Sequence, residues 1–307
     1  MDLGARVIKV EQPGIGDYYR GVPGTPALLG NQVEVINQGK ESLGLDLKAD
    51  AGKEIFRKLV RKSDVVLESF RPGVLKKLGL DFRALRRINP RIVLCSITGF
   101  GQKGPQAQLA GHDLNFLGLS GLLGRVRTPS GQFVIPDFQV ADLAAGYEAA
   151  MRISAALVER AKTKKGVHVD VSMKGSAASL SRLYSGPTPL TGELPRYGVY
   201  ETADAKSVTL GALEPKFWSR FCGAIGKAET VSRSELETVF RSKTQGEWSL
   251  LGEREDVCLF PVQELSAKDK FRFKPFPPLG QQTAGILRKL GYSAGQIKDL
   301  KAKGVVE

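Results

Sequence analysis

The chain has 307 residues, of which 42% are hydrophobic and 25% are charged, an ordinary composition for a globular protein. No apolar stretch approaches the length of a membrane-spanning helix, and the first residues, MDLGARVIKVEQPG, lack the apolar core of a secretion signal, so we expect a cytoplasmic protein with no membrane partner. The three cysteines, Cys95, Cys222 and Cys258, are too few and too scattered for a disulfide framework or a metal cluster.

The formal net charge of +13 at pH 7 fits three kinds of surface. One is a solvated lysine-rich surface, and another is a nucleic-acid interface. The third is a site for a polyanionic small molecule, whose phosphates need a few arginines and lysines. The basic residues are spread through periodic segments without a recognition-helix, zinc-finger or aromatic–basic pattern, so we expect no nucleic-acid partner, but composition alone does not decide.

The first hundred residues alternate between strand and helix patterns. Strands are predicted at 7–10, 64–69 and 91–99, and helices at 50–62 and 81–88. Asp50 is the predicted N-cap of the first of these helices, and Pro90 ends the second. This alternation predicts an α/β fold built on a doubly wound, Rossmann-like parallel sheet.

The longest predicted helix covers residues 142–160, with Asp142 at its start, where an aspartate is commonly the N-cap. A stripe of mostly apolar residues recurs along it near every 3.6 positions, formed by Leu143, Tyr147, Met151, Ser154, Leu157 and Val158. The later elements are predicted as a buried strand at 167–173, a strand at 207–213, a helix at 215–225 and a final pair of helices.

Stretches rich in glycine and proline divide the chain into two predicted domains. A large α/β domain covers residues 1–185 and is completed by the C-terminal helices at 275–307. A smaller α+β domain covers residues 195–265, and the segments 186–194 and 266–280 are the predicted linkers.

The segment GFGQKG at 99–104 has the glycine spacing of a dinucleotide-binding loop and follows a predicted strand. Such a site also needs a helix that opens at the third glycine, because the helix N-terminus receives the pyrophosphate. Here Pro105 follows at once and no apolar helical stripe begins. We therefore interpret the segment as a flexible glycine-rich loop beside a ligand.

The chain contains two histidines. His168 lies in the predicted strand at 167–173 and is interpreted as structural. His112 lies in the segment GHDLNF, directly before Asp113. A histidine on its own is more often an ordinary partly buried residue than a catalytic one, so the role of His112 depends on its partners.

A series of segments resembles, in chain order, the family III CoA-transferases (CaiB/BaiF), a family that includes the α-methylacyl-CoA racemases. The segments are DLGARVIKVEQPG, NQGKESLGLDLK, DVVLESFRPGVLKKLGLD, RIVLCSITGFGQKGP, GHDLNF, ADLAAG, VDVSM, GALEPKF and PLGQQTAGILRKLGYSAGQI. The resemblance covers nearly the whole chain. It implies the family's fold, a large CoA-binding α/β domain and a small α+β domain, and an interlocked homodimer in which each site uses both chains.

The resemblance implies different site residues in the two branches of the family. In the transferase branch an aspartate nucleophile matches Asp113, usually without a histidine before it, and a later glycine-rich loop follows that this chain lacks. In the racemase branch a His-Asp pair, a second aspartate and a glutamate match His112, Asp142 and Glu214. The resemblance therefore implies a racemase of 2-methylacyl-CoA thioesters, in which Asp113 has a supporting role.

These residue types suit that reaction. The proton next to a thioester carbonyl is weakly acidic, so inversion needs a base on one face of the carbon and a conjugate acid on the other. By resemblance, His112 and Asp142 are these two groups, and Glu214 from the second chain of the dimer orients His112. The reaction needs no metal or redox cofactor, and coenzyme A enters as part of the substrate.

The coenzyme A phosphates need cationic partners. By resemblance, the expected contacts are Arg71 in FRPGV, Lys77 in VLKKLGL and Lys48 in LDLK. They account for only a few of the 45 basic residues.

The chain also departs from the family pattern. The family has a strand and a helix before the DLGA segment, so we expect the large domain to lack its first strand and helix, through a misassigned start, a natural shortening or a fragment. NQGK carries glutamine where the family has arginine, and the stretch 183–200 is shorter than usual. Two alternatives to a racemase therefore stay open: CoA transfer through Asp113, and a truncated, non-catalytic CoA-binding paralogue.

Overall fold

The alternating patterns of the first hundred residues form parallel β-ladders in the computed structural model, which describes residues 3–20, 36–128, 130–182, 190, 192, 194–264 and 276–307. The chain divides into two compact units, Met1–Leu183 with Arg272–Glu307, and Tyr184–Phe271. Most of the predicted linkers, 186–194 and 266–280, lies outside the described residues, so the predicted domain boundaries stay predictions.

The first unit holds the parallel strands. They are β1 (Ile8–Glu11), β2 (Glu41–Gly44), β3 (Val65–Glu68), β4 (Val93–Thr98) and β5 (His168–Ser172). The helices of this unit are α1 (Asp50–Arg61), α2 (Val74–Lys77), α3 (Phe82–Ile88), α4 (Asp113–Ser120), α5 (Val140–Thr163), α6 (Met173–Ser181), α10 (Thr283–Lys289) and α11 (Ala294–Ala302). Strand β1 pairs with β2, and β4 pairs with β3 on one side and β5 on the other, all in parallel.

Neighbouring residues of β4 pack into two different cores. Leu94 belongs to a core that includes Leu85 of α3, whereas Val93 and Cys95 belong to a core that includes Ala145 of α5. Because successive side chains of a strand point to opposite faces, helices cover both faces of this ladder. The predicted α/β fold with a doubly wound parallel sheet is confirmed.

Helix α5 turns its small residues inward and most of its apolar stripe outward. Ala141, Ala145 and Ala149 are buried, and the small side chains let α5 pack closely on β4 and β5. Two members of the predicted stripe, Tyr147 and Met151, are 73% and 67% exposed. Most of the stripe therefore lies on an outer surface of the chain, whereas its member Leu157 is partly buried against the core. Although α5 is 24 residues long, neither it nor another helix in the described ranges is apolar enough over its length to cross a membrane.

The predicted N-cap of the helix at 50–62 is wrong by one residue. Ala49 occupies the N-cap position and Asp50 is the first helical residue, where it pairs with Lys53 at 3.0 Å. The helical pattern itself is confirmed, since Ile55, Phe56 and Val60 lie on the buried face.

The second unit is an antiparallel sheet with helices. Its strands pair in the order β6 (Tyr197–Glu201), β7 (Ser207–Gly211) and β8 (Leu259–Pro261), and its helices are α7 (Pro215–Ala224), α8 (Arg233–Phe240) and α9 (Gln245–Glu255). Aromatic residues fill its core: the ring of Phe240 stacks on Tyr200 at 4.5 Å and lies 4.8 Å from Trp248. As the sequence predicts, α7 has a proline in its first position.

Candidate active site

The starts of α4 and α5 meet in the first unit and bring together His112, Asp113 and Asp142. His112 is exposed and is the N-cap residue of α4, with an extended backbone. Its backbone N–H donates a hydrogen bond to Oδ1 of Asn115 at 3.0 Å, which ties the residue to the first turn of the helix.

Phe116 anchors this helix start in the protein. Its buried ring meets Phe100 edge to face at 5.4 Å. Gly99 and Gly111 lie so close to the ring that a Cβ atom added to either would be 2.7 or 2.8 Å from it. Glycine at these two positions thus lets the loop after β4 close over Phe116, which fixes the place of His112.

Asp113 links the two helix starts. Its Oδ1 accepts hydrogen bonds from the backbone N–H of Ala141 at 2.6 Å and of Asp142 at 3.0 Å. Gln139, the N-cap residue of α5, makes no capping bond with its own side chain. A carboxylate from α4 therefore caps α5.

Asp142 is the third residue of α5, so the ordinary N-cap role of an aspartate at a helix start does not apply to it. The helix begins two residues earlier than predicted, and Asp113 supplies its cap from outside. The Asp142 side chain is half-buried, and its Oδ1 has no hydrogen-bond partner within the described part of the chain. Burial raises the pKa of Asp142, the negative charge of Asp113 raises it further, and the charge of His112 acts in the opposite direction.

This arrangement places a histidine next to a carboxyl group whose pKa is raised by burial. A histidine and a carboxyl group side by side are the residue types of general acid–base catalysis. The structure thus brings together three of the four predicted catalytic residues.

The fourth, Glu214, belongs to the second unit. It is exposed and is the N-cap residue of α7, directly before Pro215. Its side chain makes no capping bond. Burial raises the pKa of Cys258, and the negative charge of Glu214 raises it further.

A cleft of about 180 Å³ lies beside strands β3, β4 and β5. Its walls carry both charged and apolar groups: Glu68, Arg71, Gly73, Leu75, Lys76, Asp81, Phe82, Leu94, Ser96, Gln102 and His168. Of the three predicted phosphate contacts, Arg71 lines this cleft. Lys77 is exposed at the end of α2 and Lys48 is exposed after β2, and neither is among the described residues that line it.

Sequence reasoning missed Lys76 and the strand residues of this cleft. Since α2 is a single turn, the sequence could not show which of two adjacent lysines faces the cleft. A signal for Ser96 existed, because strand alternation places it on the same face as Leu94.

His168 forms part of the cleft wall. Its Nε2 lies 2.9 Å from Oγ of Ser96, and its ring stacks on Phe82 at a centroid distance of 5.7 Å. Burial lowers the pKa of His168, against the opposing charges of Asp170 and Glu68. These contacts hold the ring in place on two sides.

The glycine-rich loop at 99–104 is tied down by Asp170. The backbone N–H of Gln102 donates to both carboxylate oxygens of Asp170, at 3.2 and 3.0 Å. The next helix, α4, begins at Asp113 and not at the third glycine, so the loop does not have the geometry of a dinucleotide fingerprint.

Comparison with known proteins gives relatives along the whole chain. It is 31% identical to the alpha-methylacyl-CoA racemase of Homo sapiens over 363 aligned positions, which cover 100% of this chain and 91% of the racemase. It is 35% identical to the succinate–glutarate CoA-transferase of Agrobacterium fabrum over 243 positions, 73% of this chain and 60% of that protein. Because the first alignment is longer than the chain, the human racemase carries segments within the matched span that this chain lacks.

Solved structures share the fold. A CAIB/BAIF family protein from Brucella suis superposes with a TM-score of 0.75 at 25% identity, over 94% of this chain and 93% of that one. Rv3272 from Mycobacterium tuberculosis superposes with a TM-score of 0.72 at 29% identity, over 92% and 91% of the two chains. The family model of CoA-transferase family III matches residues 1–271. The chain therefore belongs to CoA-transferase family III.

Proposed function

We propose that the chain is an α-methylacyl-CoA racemase, which inverts C2 of 2-methylacyl-CoA thioesters. The observation that carries the proposal is that the starts of α4 and α5 lie together. The N–H of Asp142 donates to Asp113, the neighbour of His112, and the charge of His112 acts on the pKa of the Asp142 carboxyl group. Similarity to the human alpha-methylacyl-CoA racemase over the whole chain supports the same activity.

In the proposed reaction one base removes the C2 proton, and the electron pair of that bond moves toward the thioester oxygen to form an enolate. The conjugate acid of the other base then delivers a proton to the opposite face of C2. In one direction neutral His112 accepts and protonated Asp142 donates, and in the other direction the roles reverse. The raised pKa of Asp142 suits this task, since the group must hold a proton for half of each cycle.

The enolate oxygen needs hydrogen-bond donors. The first N–H groups of a helix have no partner within the helix, and the start of α4 presents such groups directly beside His112. Glu214 is proposed to support the protonated form of His112. This role stays an assignment by family resemblance.

The coenzyme A part of the substrate is proposed to use Arg71 of the cleft, with Lys77 and Lys48 as further cationic contacts. The proposed chemistry needs no metal or redox group. Proton transfer at C2 requires only the two bases and donors to the enolate oxygen.

We also propose that the protein is a cytoplasmic homodimer, interlocked as in its family. The exposed apolar stripe of α5 supports a protein partner: Leu143, Tyr147, Met151 and Val158 are all exposed in the single chain. Apolar surface of this extent on one helix face is typical of a surface that another chain covers.

The racemase proposal is tested by deuterium wash-in. The protein is incubated with a 2-methylacyl-CoA in heavy water, and mass spectrometry follows deuterium at C2. We expect wash-in in the wild type and a loss of about 100-fold to 10,000-fold in both His112→Ala and Asp142→Asn, the usual range for a lost acid–base group. Asp299→Asn, an exposed aspartate on α11, is the matched control. Full wash-in in His112→Ala would contradict the assignment.

A second candidate function is CoA transfer, because relatives such as the Agrobacterium fabrum protein are CoA-transferases. In that reaction the Asp113 carboxylate attacks the thioester carbonyl and expels the CoA thiolate, which leaves a mixed anhydride on Asp113. Hydroxylamine converts such an anhydride into a hydroxamate that peptide mass spectrometry detects at Asp113. A trapped adduct with an acyl-CoA donor would favour transfer, and wash-in without an adduct would favour racemisation.

A further inference from the structure

Helix α5 depends on another helix for its N-terminal cap. Asp113 of α4 accepts hydrogen bonds from the N–H groups of Ala141 and Asp142, whereas the α5 N-cap residue Gln139 contributes no side-chain bond. The N–H groups of the first turn are the ones that carry the partial positive charge of a helix start. Asp113 therefore occupies the position that a negative group of α5 itself would otherwise take.

Asp142 is the residue most affected by this arrangement. An aspartate in the first turn of a helix ordinarily gains from the first-turn amides, which stabilise its charge and make it a weaker base. Here Asp113 has taken two of those amides, including that of Asp142 itself. The Oδ1 of Asp142 is buried without a hydrogen-bond partner among the described residues.

Two charged side chains, Asp113 and His112, act on the Asp142 carboxyl group. Burial, the negative charge of Asp113 and the opposing charge of His112 are the influences on its carboxyl group. The other elements packed on α5 direct their polar groups elsewhere: His168 to Ser96, Asp170 to Gln102 and Lys174 to Gln106, while Cys95 is buried in the core. Within α5, Glu148 pairs with Arg152 and Ser176.

We propose that Asp113 is a positioning residue for Asp142: its carboxylate takes up the first-turn amides of α5 and leaves the Asp142 carboxyl unbonded, as a base beside His112. This inference rests on the proposed racemase function, because that function gives Asp142 a proton to carry. It also gives Asp113 a task other than nucleophilic attack, since one of its two oxygens holds the start of α5.

The test separates the charge of Asp113 from its hydrogen bonds. Asp113→Asn keeps an oxygen that accepts the two amides but removes the negative charge. Because Asp142 then loses a like charge, we expect the acid limb of the wash-in pH profile to move to lower pH. If the charge of Asp113 does not act on Asp142, the limb stays in place.

Asp204→Asn is the matched control. In the second unit, Oδ1 of Asp204 accepts the N–H of Gln245 at 3.0 Å at the start of α9, a helix that its own N-cap residue Thr244 also caps. The substitution makes the same chemical change at a carboxylate that bonds a helix start far along the chain from Asp142. We expect it to leave the acid limb of the profile where it is in the wild type.

A second readout does not depend on activity. The protein is labelled with ¹³C at the aspartate carboxyl carbons, and the Asp142 signal is identified by its loss in Asp142→Asn. We expect Asp142 to titrate above the ordinary aspartate value of about 3.9 in the wild type, and at lower pH in Asp113→Asn. An ordinary titration in the wild type, or an unchanged one in a folded Asp113→Asn, overturns the inference.

These readouts distinguish the two proposals. If no variant shows wash-in but the Asp142 titration moves as expected, the racemase proposal fails and the placement of Asp113 stands. If Asp113→Asn does not fold, the wild-type titration alone decides, because an ordinary value for Asp142 contradicts the arrangement.

Discussion

The two histidines of the chain lie in opposite settings. His112 is exposed at the start of a helix, beside Asp113 and Asp142. His168 lies in a strand, bonded to Ser96 and stacked on Phe82. A helix start presents a side chain to the surface, whereas a strand under helices encloses it. The same imidazole is thus a group available for chemistry in one region and a packing element in the other.

The largest expected effect is a difference in folding stability between alanine variants of the two histidines. His168→Ala removes a stacked ring and leaves the Ser96 hydroxyl without its partner, so we expect the free energy of unfolding to fall by about 2–4 kcal/mol. The exposed His112→Ala is expected to change it by no more than about 0.5 kcal/mol, although it removes the proposed activity. Urea unfolding at a fixed protein concentration measures both, and equal losses would break the comparison.

The next effect contrasts the two faces of α5. Ala145→Leu forces extra atoms against Val93 and Val171, so we expect a loss of about 1–3 kcal/mol in the free energy of unfolding. Met151→Lys on the outer face is expected to change the stability of the single chain by no more than about 0.5 kcal/mol.

Sedimentation distinguishes the two α5 variants further. If a second copy covers the outer face, Met151→Lys buries a charge at that interface and shifts the protein toward monomers. Ala145→Leu leaves the outer face unchanged and serves as the control. A Met151→Lys protein with the wild-type oligomeric state would show that this face is not the interface.

Much of the fold was predictable because it follows from local periodicity. The strand and helix alternation between residues 7 and 99 predicts strands β1, β3 and β4, and the pattern of α1 predicts its buried face. Strand β2, the partner of β1, was not predicted. The outward direction of the α5 stripe was not predictable from its period. Periodicity predicts that the helix has an apolar face. Which face packs on the sheet depends on the small residues Ala141, Ala145 and Ala149, which are buried there.

The candidate site was predictable only in part. The resemblance picks out His112, Asp113 and Asp142, which the structure brings together. The capping role of Asp113 was missed because its bonds reach 28 and 29 positions along the chain, where no local pattern marks them. For the same reason the start of α5 was misplaced, since the sequence rule for an N-cap looks for the capping side chain at the helix's own first residue.

The smallest expected effect is a pH dependence of stability carried by His168. Burial lowers its pKa in the folded protein, whereas the unfolded chain binds this proton near the ordinary value of about 6.5. As the pH falls below that value, His168 becomes protonated in the unfolded chain but stays neutral in the folded protein. The free energy of unfolding therefore decreases.

His168→Gln isolates this contribution, because glutamine keeps a polar partner for Ser96 but does not titrate. We expect the variant to lose less stability than the wild type between pH 7.5 and pH 5.5, a window set on either side of about 6.5. Asp142 acts in the opposite sense, since its raised pKa favours the folded state as the pH falls. It is present in both proteins, so it cancels in the difference between their urea unfolding curves. Equal pH dependence in the two proteins would mean that the His168 ring takes up its proton as readily in the folded strand as in the unfolded chain, and the contrast between the two histidines would then rest on geometry alone.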